Sequence, residues 1–381
     1  MNRRDCLKAM AGLSAGAVFP WGGGAHASQA RGEVGSLALG RATRVVLGGV
    51  GREASDETVA SAVRAAAEAA TDFSWLSRGD AVFLKPALNS GNPYPATTSP
   101  TGLAAMVKIL KERGAGRVVV GDMAGILHVK LSPGGVSGSS RRLMEASGMA
   151  RAVVEAGAEL HFFEEAGWDA FYEDTPAAGS HWKRGLMMPR VLTLGLKAAV
   201  GYWRTDTRLE YHRDASSFQE KTAEGNTVDT LRQKQRLVLT VADKVLTTFG
   251  PDEGHVVRPA TGLVIASESV VAHDMVSLAW LLDNRRDLPA SEDDALSDPY
   301  KSQLFVSIGN HWVVNKLDGL GAALTSERLT RNDINAVWDD RVLSHAHRVF
   351  GGLPRVVLET ANDAAPEDVK RRLSEMTTPS A

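Results

Sequence analysis

Lys85, Asn89 and Asp122 each follow a short apolar run, Val82-Phe83-Leu84 for the first two and Val118-Val119-Val120 for the third. A cation, an amide and a carboxylate at the carboxyl ends of strands can hold a ligand at the rim of an open α/β sheet. Lys85 would serve there as an anion receptor. Thr97, Thr98 and Ser99 precede Pro100 and an amphipathic stretch; the free N–H groups of a helix start, joined by those hydroxyls, bind phosphate or carboxylate. The same residues also read as a Ser99 cap with Pro100 in the first helical position, and both readings stand. Asp122, Asp243 and Asp274 each follow an apolar segment and suit a hard divalent cation. His128, His255 and His273 would add nitrogen donors and turn the preference toward a transition metal. His345-x-His347 supplies a further pair in a stretch without strand character. None of these groups has close ligand spacing, and an isolated histidine reads equally well as a satisfied polar residue.

Such groups need a frame. Strands are predicted at 44–48, 81–84, 117–120, 160–163, 237–241, 263–266 and 356–358, and helices at 56–70, 101–113, 142–156 with a break at Gly148, 270–282, 300–317 and from 363 onward. Ser55 or Asp56 would cap the first helix, and Gly114 would stop the second. Apolar strands alternating with helices predict an α/β fold built on a largely parallel, doubly wound (Rossmann-like) sheet, with an elaborated C-terminal half. Residues 164–235 are polar and aromatic, with Trp168, Trp182, Tyr202, Trp203 and Tyr211; they read either as a contact surface or as packing in an irregular region. Gly48-Gly49-Val50-Gly51 lacks the dinucleotide spacing, Gly134 to Ser140 lacks the Gly-Lys-Ser/Thr of a P-loop, and no G-x-S-x-G elbow occurs. No linker or repeat divides the chain, so residues 28–381 read as one domain with its core at 80–285.

Of 381 residues, 44% are hydrophobic and 23% charged, and 43 basic against 45 acidic residues leave a formal charge of -2. That balance supports a large core and excludes a general nucleic-acid binder, which needs a basic surplus. Arg3-Arg4 with Leu7 and Lys8, a mildly apolar run from Ala9 to Trp21, and Ala25-His26-Ala27 resemble a twin-arginine export signal over residues 1–27, with Cys6 where an aromatic is usual. The resemblance implies handling by the twin-arginine translocase and a periplasmic or secreted destination. The apolar run is too short for a retained membrane span. Residues 28–381 contain no cysteine, so they carry neither a disulfide nor an iron–sulfur cluster held by thiolates.

Val82-Phe83-Leu84-Lys85-Pro86-Ala87-Leu88-Asn89 followed by Thr97-Thr98-Ser99-Pro100 resembles the opening signature of the domain of unknown function 362 family. The likeness continues through Lys111-Glu112-Arg113-Gly114-Ala115, Val119-Val120-Gly121-Asp122, Leu194-Gly195-Leu196-Lys197, Gly250-Pro251-Asp252-Glu253-Gly254 and Leu263 to Ser267, with Ala272 and Asp274 beyond. It adds Lys197 to the candidate ligand-holding residues. Ala87 stands where the family often has asparagine, and a strand with its loop reads as shortened near 189–194. Two function classes follow. One is an exported, enzyme-like protein using a divalent metal or a small anionic cofactor, with Lys85, Asn89, Thr97, Thr98 and Lys197 holding the cofactor and Asp122, Asp243 and Asp274 the metal. A fold-level analogy links it to nickel-pincer lactate racemases. The other is a noncatalytic periplasmic protein that binds or helps assemble a redox partner.

Overall fold

The structure is a computed structural model, and it describes residues 39–189, 196–248, 254–289, 303–330 and 334–379. The export segment, the shortening near 189–194 and most of the Gly250–Gly254 motif lie outside the described residues.

The chain opens with strand β1 (Leu39–Gly51) and helix α1 (Asp56–Ala70). Ser55 caps α1 by accepting the Thr58 N–H, and Asp56 and Glu57 place negative charge at its positive end. Then come β2 (Ala81–Leu84), α2 (Pro100–Glu112) and β3 (Arg117–Asp122). A small hairpin of β4 (Lys130–Ser132) and β5 (Gly135–Ser137) precedes α3 (Ser140–Ala146) and α4 (Met149–Glu155). Gly148 separates those two helices with φ of 82°, a left-handed turn that only glycine adopts cheaply. Strand β6 (Glu159–Phe162) and the antiparallel pair β7 (Phe171–Asp174) and β8 (Leu186–Pro189) follow. Short helices α5 (Thr205–Arg213), α6 (Phe218–Glu224) and α7 (Asp229–Lys234) come next. The remainder is β9 (Val238–Ala242), β10 (Val245–Leu246), β11 (Val256–Val257), β12 (Thr261–Ser267), α8 (Val270–Arg285), α9 (Gln303–Thr325), α10 (Arg341–Val349), β13 (Leu353–Thr360) and α11 (Glu367–Met376).

The fold mixes helices with sheets that contain parallel pairs, but its larger strands divide between two sheets. One is wholly parallel, β2-β3-β6, in register Val82↔Val118 and Val120↔Leu160. The other runs β13-β1-β12-β9, with β1 parallel to β13 and antiparallel to β12, and β12 antiparallel to β9. Thus β1 and β2, neighbours in sequence, do not pair. The mixed sheet is buried on both faces because successive residues of β1 point opposite ways. Val46 and Val50 enter the core shared with α1, α2 and the parallel sheet, whereas Val45 and Leu47 enter the core formed with α8, α10 and α11. An unbroken apolar run is the sequence such a strand requires.

Candidate metal centre

The strand-end residues come together, but as a closed structural knot. Lys85 Nζ lies 2.8 Å from Asp122 Oδ1, with the two side chains only 2% and 4% exposed. Lys85 also donates to the Pro86 carbonyl at 3.0 Å and faces the Tyr202 ring. Asp122 accepts the N–H groups of Leu88 and Met123, so each of its oxygens is engaged. Burial pushes the Asp122 carboxyl up and the Lys85 ammonium down, and each partner's charge opposes the shift in the other. Gly201 closes the knot; an added Cβ there would overlap Asp122 Oδ1 and lie 2.5 Å from Lys85 Nζ.

Arg208 braces the same region from α5, donating to the carbonyls of Trp203, Ala124, Met123 and Gly201 at 2.7–3.0 Å. Its burial brings the guanidinium down to about 10, against the pull of Asp122 and Glu164. Asn89 is half-buried alongside, its carbonyl within 3.0 Å of where a Cβ on Gly125 would stand.

The other expected groups are engaged separately. Thr97 donates to the Asn92 carbonyl, Thr98 accepts the Ala87 N–H, and Ser99 caps α2 through the Gly102 N–H. Of the two readings of that helix start, the cap is the one these bonds express. Asp243 accepts the Tyr94 hydroxyl at 2.6 Å, and Asp274 pairs with His273 Nδ1 at 2.9 Å. The three aspartates therefore do not assemble as one ligand set among the described residues. The side chain of Lys197 lies outside the description.

What does assemble was not marked by sequence spacing. His181, Glu224 and His345 form the one group of three or more possible metal ligands among the described residues, with all ligand atoms within 4.8 Å of one another. Glu224 Oε1 is 2.6 Å from His181 Nδ1 and 2.8 Å from His345 Nε2. Glu224 ends α6 and His345 sits in α10. Four residues earlier on each helix, Glu220 and Arg341 pair at 2.6 Å. The two contacts are successive rungs between helices packed side by side, since residues four apart share a face.

His181 arrives on the loop between β7 and β8, which is pinned along its length. Ala177 N–H donates to Thr227, His181 N–H to Glu224 Oε2, Trp182 Nε1 to the Lys221 carbonyl, and Lys183 N–H to Glu210. Trp182 itself packs edge-on against Trp203 at 4.9 Å and stacks on Tyr211. Trp182, Tyr202, Trp203 and Tyr211 are all buried, so most of this aromatic set is core and not a contact surface; Trp168 carries the Arg204 guanidinium on its ring face at 3.9 Å.

The electrostatics suit a cation. Burial alone would raise Glu224, but the bonds from His345, His181 and the His181 N–H outweigh it and hold the carboxyl below the usual glutamate range. Glu224 is 2% exposed and His345 13%, whereas His181 is 45% exposed, so one side of the triad opens to solvent. Two imidazoles and a carboxylate are a common donor set for zinc or iron(II) with coordination positions left for water or substrate. Bonds of roughly 2.0–2.1 Å to a tetrahedral ion would require the donor contacts to widen to about 3.3 Å, a shift of well under 1 Å.

Beneath the triad, Lys221 is fully buried and pairs with Asp214 at 3.2 Å and Glu210 at 3.4 Å, and Lys183 reaches Asp214 at 2.6 Å. Burial would raise Asp214, yet Lys183 and Lys221 together hold its carboxyl below the ordinary range. A depressed folded-state value contributes stability above about pH 4 that is lost as pH falls through it. The urea midpoint of the wild type is therefore expected to drop more steeply between about pH 5 and pH 3 than that of Asp214→Asn; equal slopes would show that Asp214 carries no such linkage.

Residues 82–191 and 180–279 match the family described as Domain of unknown function (DUF362), together just over half of the chain. The chain belongs to that family. No curated protein and no solved structure matches it. Among the described residues, no helix is long and apolar enough to cross a membrane.

Proposed function

We propose that this is an exported, metal-dependent member of the family, with a single divalent transition ion held by His181, Glu224 and His345. The observation that carries the reading is the convergence of three ligand atoms from three separate elements around a buried carboxylate, with one histidine open to solvent. Glu224, kept ionised by its bonds from His345 and His181, supplies the negative charge, the pinned loop fixes His181, and the α6–α10 contact fixes His345. A bound ion would act there as a Lewis acid toward an oxygen of water or substrate. His181, on the exposed side, would border the approach, while Trp182 behind it excludes water from the rear of the site. Asp122, placed among metal ligands on sequence grounds, instead supports the fold by neutralising Lys85, and the same pairing occupies the cation expected to receive an anion. Export through the twin-arginine route would deliver the protein folded, consistent with a site built from distant parts of the chain.

Cobalt(II) titration of the dialysed protein tests this reading. One equivalent is expected to produce the visible absorption of a low-symmetry cobalt site, absent in His345→Ala. Featureless spectra with the wild-type protein, or unchanged spectra with the variant, would reject it.

A further inference from the structure

A second site, remote in character from the metal centre, lies where the loop before α2 meets the β10–β11 pair. A cavity of about 420 Å³ is lined there by Pro93, Tyr94, Lys244, Leu246, Val256 and Arg258, among others. That volume is within the range of small-molecule sites, about 300–1,000 Å³. Its aromatic wall is fixed: the Tyr94 hydroxyl donates to Asp243 Oδ1 at 2.6 Å and accepts the Lys244 N–H at 3.3 Å. The Lys244 ammonium stands 5.5 Å from the centre of the Tyr94 ring. Among the described residues, neither Lys244 nor Arg258 has a carboxylate partner and none of those lining the cavity is acidic. Asp243, the nearby acid, points its oxygen at Tyr94.

We infer that this cleft binds a small organic carboxylate with a flat or short apolar body. Lys244 and Arg258 take the carboxylate, with Arg258 suited to a two-pronged contact. Tyr94, Pro93, Leu246 and Val256 cover the apolar part. Both cations line the cleft and Lys244 stands over the face of its aromatic wall, so an anion entering meets positive charge and an aromatic surface together.

Calorimetric titration with benzoate is the test, alongside inorganic phosphate and benzylamine. Benzoate is expected to bind saturably, phosphate more weakly, and benzylamine not at all. Lys244→Gln/Arg258→Gln, which changes only exposed and half-buried side chains, is expected to weaken benzoate by more than about tenfold, the effect of losing a charge-assisted hydrogen bond, with an unchanged melting temperature. His345→Ala should bind benzoate as the wild type does, which separates this site from the metal centre. The inference fails if benzoate does not saturate, if the double variant binds it equally well, or if phosphate alone binds.

Discussion

Asp122→Ala is expected to lower the unfolding free energy by about 3–5 kcal/mol, the cost of leaving a buried charge without its partner. The stranded group would be Lys85, whose side chain is 2% exposed and whose other donor contact is a single carbonyl. Two N–H groups, those of Leu88 and Met123, would lose their acceptor as well. Lys85→Met/Asp122→Ala should recover part of the loss, because removing both charges also removes the desolvation that each imposes. Denaturant unfolding of the wild type, Asp122→Ala, Lys85→Met and the double variant gives the coupling directly. A single variant within about 0.5 kcal/mol of wild type, the range of ordinary surface substitutions, would mean that water reaches the pair. Cobalt binding in Lys85→Met/Asp122→Ala is expected to keep the wild-type stoichiometry, since neither residue belongs to the triad; its loss would return Asp122 to the ligand set.

Zinc is expected to stabilise the wild-type protein by about 2.7 kcal/mol at a hundredfold excess over its dissociation constant, and Glu224→Gln by almost nothing at the same concentration. Glutamine keeps the shape of the side chain and an oxygen for the His181 N–H, so the helix end survives while the charge is removed. Loss of an inner ligand should exceed the roughly 10–100-fold weakening that follows loss of groups behind the ligands. The comparison is made by chemical denaturation with and without zinc. A zinc-linked shift of wild-type size in Glu224→Gln would show that the metal, if bound, sits elsewhere.

The longer helices and the strands of the two larger sheets follow from local pattern, whereas the short helices α5, α6, α7 and α10 and the strands of the small pairs were not marked by it. Ser55 and Ser99 cap where small hydroxyl residues precede apolar periodicity, and Gly148 breaks a helix where a left-handed turn is needed. Arg44 to Gly48 reads as a strand and lies inside one, β1, which continues through the glycines to Gly51. Its partners were not legible, because an unbroken apolar run suits a strand between two parallel neighbours as well as one with an antiparallel neighbour on one side. A single wound sheet therefore became two sheets. Likewise Lys85 and Asp122 were recognisable as strand-end charges, but whether they would face a ligand or each other depended on Gly201 and Arg208, which arrive from a distant segment.

By itself the sequence determined the longer helices and the strands of the two larger sheets, where charge falls at strand ends, that residues 28–381 have no thiol chemistry, and the family to which the chain belongs. Only the tertiary structure decided which charges neutralise one another and which side chains could share a metal. His181 and Glu224 are 43 positions apart, and Glu224 and His345 are 121 apart. No local period links such residues; they meet because α6 and α10 pack in one register and Trp182 anchors the loop that carries His181.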